Sequence, residues 1–377
     1  MKSAVLFAVF AAAPLAIPAQ SAKAVFDGVG RAPRMMTTGA TGWTGTTGWR
    51  LVLERTIQPA EGTPGMFGSP TAVVLFADGR VVVAEDPRQQ KAVGLQLFDA
   101  KGVFVRRLGR DGEGPGEYRS VNVGALGDTL VIHDQRLARI TFMGLDGKLV
   151  RTFPSRCCSV GTPIGVDSRG TVTVPAGNGS WARFAANGKL LDTLPRPLAG
   201  PVREWDTQDG ARYSIPFMAN TGYLHLRDGS LLYGLQDRQE FLLSKTGRDT
   251  VRVFGRTGVT SRPVPDSARQ AMITLFSKHP QVSRVFKASD IPTTLPAWSR
   301  LSEDTEGNIW VLDGFYTIAP ARQFDVYARD GRYLGAVAAP TPTVTSISFN
   351  NGRVAILDND ADELPRVRIY RMDRNGK

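Results

Sequence analysis

The feature that most constrains this chain is a pair of glycine-containing turns that recurs six times. The first turn of each pair precedes a strongly apolar run, as Asp78-Gly79-Arg80 precedes Val81-Val82-Val83, and a second turn follows it, as at Asp99 to Gly102. The first-turn glycines are Gly79, Gly127, Gly170, Gly229, Gly307 and Gly352, and the second-turn glycines are Gly102, Gly147, Gly188, Gly247, Gly331 and Gly376. Short β-branched and aromatic runs between such turns are typical of β-hairpins, so the pattern predicts an all-β fold of six repeated units.

Insertions fall between these units and not inside them. The two turn glycines of one unit are 18 to 24 residues apart, whereas the first-turn glycines of successive units are 43 to 78 residues apart. Two hairpins form a four-stranded meander, and six such sheets around an axis cover one another's faces and protect their edges. The sequence therefore predicts a six-bladed β-propeller with four-stranded blades.

The ends of the chain predict how the ring closes. The sixth unit stops at Lys377, just after its second turn, and so lacks a fourth strand. Residues 50–57 form a strand-like run before the first unit begins. We expect this N-terminal strand to complete the last blade as its outer strand, so that the propeller covers residues 50–377.

The first 49 residues lie outside the repeats. Residues 1–24 combine an early Lys2, an apolar run and the small-x-small pattern Ala22-Lys23-Ala24, which is typical of a signal peptide. The apolar run, residues 4–19, is shorter than the ~20 residues that span a bilayer, and no later segment is a candidate span. Residues 25–49 are rich in Gly and Thr and are predicted to be a flexible linker. We expect a periplasmic or secreted protein without a transmembrane segment.

The charge of the chain narrows the class of partner. The formal net charge is +11, or +9 once Lys2 and Lys23 leave with the signal peptide. Outside the cytoplasm such a charge favours an anionic glycan, or an envelope or extracellular protein, over nucleic acid, although a dispersed charge mainly supports solubility. Cys157-Cys158 are the two cysteines, and a disulfide between neighbouring residues would be strained. Either a vicinal disulfide or two free thiols is consistent with this pattern.

Several segments resemble exported bacterial six-bladed propellers of the NHL-repeat and TolB-like group. Asn308-Ile309-Trp310-Val311-Leu312-Asp313, followed by Phe324-Asp325-Val326-Tyr327 and a turn, resembles an NHL-type repeat. The loop from Gly109 to Tyr118 is similar to a loop of that group, and Leu295 to Arg300 resembles the entry to the fifth blade. The resemblance implies a fold but no single activity, since such propellers include scaffolds, receptors, lyases and lactonases.

The long insertions are predicted to share one face of the propeller, because connections between blades and loops between second and third strands lie on the same side. Binding residues commonly lie on such variable loops above a rigid scaffold. Residues 256–298 form the longest insertion, and its apolar spacing from Ala268 to Phe276 predicts a short helix. Aromatic and cationic residues in these loops suit sugar stacking or protein recognition. The candidate binding residues are Arg110, Glu117, Tyr118, Arg119, Trp181, Arg203, Trp205, Trp298 and Arg300.

Acidic residues at the ends of second strands suggest an alternative. Asp134, Asp313 and Asp358 would converge around the axis and could hold Ca²⁺ through oxygen ligands, as in lactonase-like propellers. An Asp at this position also commonly accepts hydrogen bonds from backbone amides of the next turn. A Ca²⁺- or Zn²⁺-assisted hydrolase or lyase is therefore the alternative function.

No catalytic constellation stands out in the sequence. Only His133, His225 and His279 are available for zinc chemistry, and neither a Gly-x-Ser-x-Gly elbow nor a phosphate-binding Gly-x-x-x-x-Gly-Lys loop is present. We therefore favour a scaffold that binds a ligand or protein through its loop-rich face over an enzyme, and we predict no catalytic residues and no cofactor.

Overall fold

The predicted six-bladed β-propeller is confirmed. The structure is a computed structural model that describes residues 32–38, 43, 48–85, 94–155, 164–176, 179–200, 203–315 and 318–374. Six blades of four antiparallel strands surround a central axis, with the first strand of each blade innermost, and a fifth strand joins the sheet of blade 4. The predicted signal peptide and the Cys157-Cys158 pair lie outside the described residues.

The strands follow the repeat pattern in chain order. β1 (Arg34–Thr37) and β2 (Arg50–Ile57) precede the first blade. Blade 1 contains β3 (Pro70–Leu75), β4 (Val81–Glu85), β5 (Leu95–Phe98) and β6 (Phe104–Leu108). A short parallel pair follows, β7 (Arg110–Asp111) and β8 (Glu117–Tyr118). Blade 2 contains β9 (Asn122–Leu126), β10 (Thr129–Asp134), β11 (Arg139–Gly144) and β12 (Leu149–Pro154). Blade 3 contains β13 (Gly165–Val166), β14 (Val172–Ala176), β15 (Ser180–Phe184) and β16 (Leu190–Pro195).

The second half of the chain contains the insertions. A hairpin of β17 (Glu204–Asp206) and β18 (Arg212–Ser214) precedes blade 4. Blade 4 contains β19 (Thr221–His225), β20 (Leu231–Leu235), β21 (Gln239–Ser244) and β22 (Arg252–Arg256). Helix α1 (Asp266–Ser277), as predicted, and a 3-10 turn (Ala288–Asp290) follow. Blade 5 contains β23 (Arg300–Glu303), β24 (Ile309–Leu312), β25 (Gln323–Tyr327) and β26 (Tyr333–Ala338). Blade 6 contains β27 (Ser346–Asn350), β28 (Arg353–Asn359), β29 (Pro365–Asp373) and the N-terminal β2.

The repeated glycines are explained by backbone conformation. All six first-turn glycines have positive φ, from 56° at Gly127 to 90° at Gly79. The second-turn glycines in the described part of the chain also have positive φ, from 73° at Gly247 to 92° at Gly331. A side chain is strained in this region, so the turns require glycine. A neighbouring aspartate often completes the turn, as Asp99 Oδ1 accepts the amides of Lys101 and Val103 at 2.9 and 2.8 Å.

The N-terminal strand closes the ring as predicted. β2 pairs antiparallel with β29, from Arg50 opposite Asp373 to Ile57 opposite Val367. Ile57 is buried in the apolar core between blades 6 and 1. Strands from the two ends of the described chain thus share one sheet, and unfolding this blade opens the ring.

An N-terminal arm, described at residues 32–38, 43 and 48–49, contacts the outer strands of blades 4 and 5. Its strand β1 pairs in parallel with β22 of blade 4, with Arg34 opposite Val253. Trp43 donates its backbone N–H to Leu334 O on blade 5 at 2.8 Å and stacks on Trp49 with ring centroids 4.7 Å apart. The predicted linker therefore contains a strand and an anchored tryptophan, because the free edges of blades 4 and 5 supply partners that composition does not reveal.

Arginines of the outer strands connect neighbouring blades near the second turns. Arg106 of blade 1 donates to Asp146 O of blade 2 at 3.0 Å, and Arg151 of blade 2 donates to Ala186 O of blade 3 at 2.6 Å. Arg252 of blade 4 donates to the backbone oxygen of Arg329 in blade 5 at 3.2 Å. The repeat thus places a cation where it fixes one blade to the next.

Two insertions form a small cap on the loop-rich face, consisting of residues 203–218 and 257–299. Trp205 lies in its apolar core, 4.8 Å from the Phe276 ring and 5.4 Å from the Phe286 ring. The Trp205 Nε1–H donates to Asp290 Oδ2 at 2.9 Å. The cap therefore has its own hydrophobic core, separate from the cores between blades.

Candidate functional site

A central channel of about 1390 Å³ runs between the six blades. Its wall is formed by the innermost strands of all six blades. The loop-rich end is bordered by Thr71, Asn122 and Arg300, and the opposite end, beside the first turns, is bordered by Asp128 and Glu303. The channel mouth on the loop-rich face therefore lies beside the variable loops.

Two arginines from opposite blades lie at this mouth. Arg136 follows β10 of blade 2, and Arg300 begins β23 of blade 5. Arg300 donates from Nη2 to Thr345 O at 2.7 Å, which fixes its position against blade 6. The Arg136 side chain is exposed and makes no ion pair within the described residues. Blades 2 and 5 lie opposite each other in the propeller, so the mouth carries positive charge on both sides.

A third cation, Arg196, follows the outer strand of blade 3 and packs on Trp181 and Tyr223, two residues of the channel wall. Its guanidinium carbon is 4.6 Å from the centre of the Tyr223 ring and 5.5 Å from the centre of the Trp181 ring. Its backbone N–H donates to Gly179 O at 3.1 Å. Arg196 is exposed, and no carboxylate of the described chain pairs with it. The two rings thus hold an exposed guanidinium that has no counter-ion in this part of the protein.

The aromatic residues of this wall are packed against other side chains and are not exposed to solvent. Trp181 is 1% exposed and meets the His225 ring edge-to-face, with centroids 4.5 Å apart. Tyr223 donates its hydroxyl to Pro197 O at 2.6 Å, and burial raises its pKa. Burial, with a smaller effect of Arg183, lowers the pKa of His225 to about 4, so this imidazole is neutral at pH 7. Arg183, two residues after Trp181 in the sequence, forms an ion pair with Asp192 in its own sheet.

The Gly109–Ser120 loop is organised around its own side chains. Glu117 accepts the Gly114 amide at 2.8 Å and pairs with Arg110 at 2.6 Å, and these contacts, the amide first, lower its pKa. Tyr118 is 1% exposed in the core between blades 1 and 2. Arg119 pairs with Asp111 at 3.3 Å. Of these four candidates, Arg110 is the most exposed, with 81% of its side chain accessible.

The remaining aromatic candidates also lie in hydrophobic cores. Trp205 belongs to the cap core, and Trp298, 1% exposed, donates from Nε1 to Arg238 O at 2.8 Å. Arg203 is exposed at the base of the cap. A buried indole presents no surface for sugar stacking, so these tryptophans position loops, and only Arg300 among the predicted residues borders the channel with Trp181.

The three candidate metal-binding aspartates already accept hydrogen bonds from protein groups. Asp134 accepts the Arg119 amide at 2.7 Å and the Leu137 amide at 3.0 Å. Asp313 accepts two backbone amides and the Nε of Arg322 at 3.0 Å. Asp358 accepts the Thr341 hydroxyl at 2.6 Å and pairs with two arginines. Within the described residues no three His, Cys, Asp or Glu side chains converge as a metal site.

The residues that sequence reasoning missed are Arg136, Arg196 and Tyr223. Arg136 lies two residues after Asp134, at the start of a loop between second and third strands. This loop position is the sequence feature from which Arg136 could have been predicted to lie on the loop-rich face. Arg196 and Tyr223 belong to different blades and are brought together by the ring. Their proximity has no counterpart in the spacing of the sequence.

The comparisons with known proteins support the fold. No family model matches the sequence, and no curated protein matches it. Among solved structures, a member of the DUF4221 family from Bacteroides vulgatus is similar over 87% of this chain and 99% of that chain, with a TM-score of 0.52 at 10% identity. A Bacteroides fragilis protein described as a candidate exported protein is similar over 90% of this chain and 99% of that chain, with a TM-score of 0.49 at 9% identity.

A more distant similarity is to an inactive virginiamycin B lyase from Staphylococcus aureus with quinupristin, over 86% of this chain and 88% of that chain, with a TM-score of 0.42 at 11% identity. In the described residues, none of the helices has the length and apolar character to span a membrane. At 10% identity the similarity to the DUF4221 protein bears on the fold alone. The assignment to the NHL and TolB-like group stays a prediction.

Proposed function

We propose that this protein is an exported binding propeller that holds a carboxylate- or sulfate-bearing ligand at the loop-rich mouth of its central channel. The observation that carries the proposal is Arg196, whose exposed guanidinium lies on Tyr223 and Trp181 and lacks a counter-ion in the described chain. Such a ligand could be an anionic glycan or an acidic segment of an envelope protein.

Arginine suits this role because its planar guanidinium can form two parallel hydrogen bonds to one carboxylate or sulfate group. Free arginine side chains lose conformational entropy when they bind. Arg196 has already lost part of that freedom, since the two rings hold its guanidinium in place. Less entropy is therefore lost on binding than at an unsupported surface arginine.

The positions of the other cations favour an extended ligand. Arg136 lies on blade 2 at the channel mouth, whereas Arg196 leads from blade 3 into blade 4 and packs on Trp181 and Tyr223 of the channel wall. A ligand with one anionic group can satisfy one of them. A chain with regularly spaced anionic groups can reach both and can place a neutral portion in the channel.

The proposal is tested with two anionic probes and one neutral probe. Isothermal titration calorimetry of oligogalacturonate, oligoglutamate and maltohexaose measures the dissociation constants for residues 25–377. The substitution Arg196→Ala removes the candidate cation, and Arg332→Ala is the charge-matched control, since Arg332 lies at the second turn of blade 5 on the opposite face.

We expect at least one anionic probe to bind and maltohexaose not to bind. Arg196→Ala should weaken binding about tenfold or more, because a charge-assisted hydrogen bond contributes ~1.5–3 kcal/mol and 1.4 kcal/mol is a factor of ten. Arg332→Ala should leave the dissociation constant within twofold of wild type. Equal losses in both variants would show non-specific attraction, and no binding of either anion would refute the proposal.

A further inference from the structure

A second cavity lies at the root of the cap, between blades 4 and 5, with a volume of about 170 Å³. The segment from Gly258 to Arg262, where the chain enters the cap, forms one side, and Pro296-Ala297, where the chain leaves it, forms another. Asp313 and Arg322, at the two ends of the loop between β24 and β25, line the propeller side. Both connections of the cap to the propeller thus border this cavity.

Charged side chains dominate the cavity wall. Three guanidinium groups line it, those of Arg256, Arg262 and Arg322, together with the two carboxylates of Asp313 and Asp325. The formal sum of these five charges is one positive charge. Gathering three like charges around a small cavity costs free energy unless an anion compensates the third.

Both carboxylates are already committed to other donors. Asp325 accepts the Gln239 amide nitrogen at 2.6 Å and the Tyr333 hydroxyl at 2.8 Å, and it pairs with Arg256 at 3.4 Å. Asp313 pairs with Arg322 at 3.0 Å. Each carboxylate therefore balances one arginine.

Arg262 is the cation that remains. Its two terminal nitrogens donate to the backbone oxygens of Pro320 and Ala319, at 2.8 and 3.2 Å, and these acceptors carry no formal charge. Arg262 forms no ion pair with any residue that the structure describes. Burial lowers its pKa, and of the two nearby charges Asp313 raises the pKa while Arg322 lowers it by a smaller effect.

We propose that this cavity binds a small oxyanion, either free phosphate or sulfate or the phosphoryl group of a monoester. The cavity has room for a tetrahedral anion, since one water occupies about 30 Å³ of liquid. Residues 258–260 also border it, and their backbone N–H groups make no hydrogen bond within the described chain. An anion here contacts Arg262 on the cap side and Arg322 on the propeller side, and so fixes the cap to the propeller.

The test measures binding of inorganic phosphate, inorganic sulfate and phenyl phosphate to residues 25–377 by titration calorimetry at constant ionic strength in sodium chloride. Arg262→Gln removes the uncompensated charge while retaining a donor. Arg252→Gln is the matched control, because Arg252 lies on blade 4, which leads into the cap, but donates to Arg329 O on the face opposite the loop-rich face. Arg322→Gln is a second test variant at a side chain that is 67% exposed, so its substitution leaves the core intact.

We expect phosphate or sulfate to bind wild type and the Arg252→Gln variant equally and to bind the Arg262→Gln and Arg322→Gln variants at least tenfold more weakly. Hydrogen exchange of residues 258–262 and 295–297 should slow when the anion is present. Tighter binding of phenyl phosphate than of phosphate would identify an esterified ligand, whereas equal affinity would identify the free anion.

The absence of anion binding to wild type would overturn the proposal, as would equal weakening in the Arg252→Gln control. If Arg262→Gln fails to fold, Arg322→Gln decides the outcome. This site is separate from the channel mouth, so Arg196→Ala should leave the phosphate affinity unchanged.

Discussion

The buried imidazole of His133 makes the stability of the propeller depend on pH. His133 lies in β10 of blade 2, is 0% exposed, and has its Nε2 3.1 Å from the Ser155 hydroxyl. Burial lowers its pKa to about 4, although the neighbouring Asp134 opposes this effect. An unfolded histidine titrates near ~6.5, so the folded and unfolded chains bind protons in different pH ranges.

The sign and size of the effect follow from linkage. Between about pH 6.5 and pH 4 the unfolded chain takes up a proton at this position and the folded chain does not, so stability falls as the pH falls. The difference of about 2.5 pKa units corresponds to a loss of about 3 kcal/mol, at ~1.36 kcal/mol per unit. For residues 50–377, with ~2.1 cal/mol/K of unfolding entropy per residue, this loss lowers Tm by about 5 °C.

The assay is urea unfolding of wild type and of the His133→Gln variant at pH 7, 6, 5 and 4. The variant is less stable at pH 7, but it should lose about 3 kcal/mol less than wild type between pH 7 and pH 4. Ser155→Ala is the control, since it keeps the buried imidazole and should keep the wild-type slope. Parallel pH curves for wild type and His133→Gln would refute the reasoning, because His225 and other groups would then account for the slope.

Substitutions at three further residues test how the blades are held together. Asp325→Ala should destabilise the protein by ~3–5 kcal/mol in urea unfolding, because it leaves Arg256 buried without its carboxylate; a loss below 1 kcal/mol would contradict this. Arg151→Ala should lower the free energy of unfolding by ~1 kcal/mol, because the hydrogen bond to blade 3 is lost, and Arg151→Lys should lower it by less. An unchanged Tm would show that this hydrogen bond does not connect the two blades. Trp43→Ala should remove the near-ultraviolet circular dichroism signal of the stacked pair with Trp49 and lower Tm by a few degrees. An unchanged spectrum would mean that the arm is detached in solution.

The propeller could be predicted from the sequence because its signal is local and repeated. A turn that needs positive φ requires glycine, and Gly79 and Gly307 occupy such turns in blades 1 and 5. Counting strands then showed that the last unit lacked one and that residues 50–57 could supply it. Each step used residues close together in the chain, for which sequence patterns are informative.

The N-terminal arm could not be predicted in this way. Arg34–Thr37 forms a strand because the edge of β22 offers unpaired backbone groups, and that edge lies more than 200 residues away in the chain. Trp43 occupies space beside Gly335, where an added Cβ would lie 2.6 Å from the indole nitrogen. Glycine and threonine content predicts flexibility, but it carries no information about a partner that tertiary folding brings near.

In the candidate site, too, the sequence predicts which residues lie in loops but not which of them are exposed. Tyr118, Trp205 and Trp298 were chosen as aromatic residues near variable loops, yet each is buried, because an aromatic residue is equally suited to packing those loops. Trp181 has an indirect role, since its ring lies against Arg196. Whether a loop aromatic faces solvent depends on the neighbouring blade, which the local sequence does not specify.

The structure also bears on how the positive charge of the chain is distributed. On the face opposite the loop-rich face, Arg106, Arg151 and Arg252 donate to backbone oxygens of neighbouring blades, so these cations connect one blade to the next. On the loop-rich face, Arg196 and Arg262 lack an ion-pair partner among the described residues, and each lies beside a cavity. Charge that served solubility alone would have no reason to be held against aromatic rings or half-buried at the root of the cap, because an exposed, mobile side chain serves that purpose at lower cost. The two arginines on the loop-rich face are therefore the positions where an anionic ligand would replace a missing interaction and not merely add to a diffuse attraction.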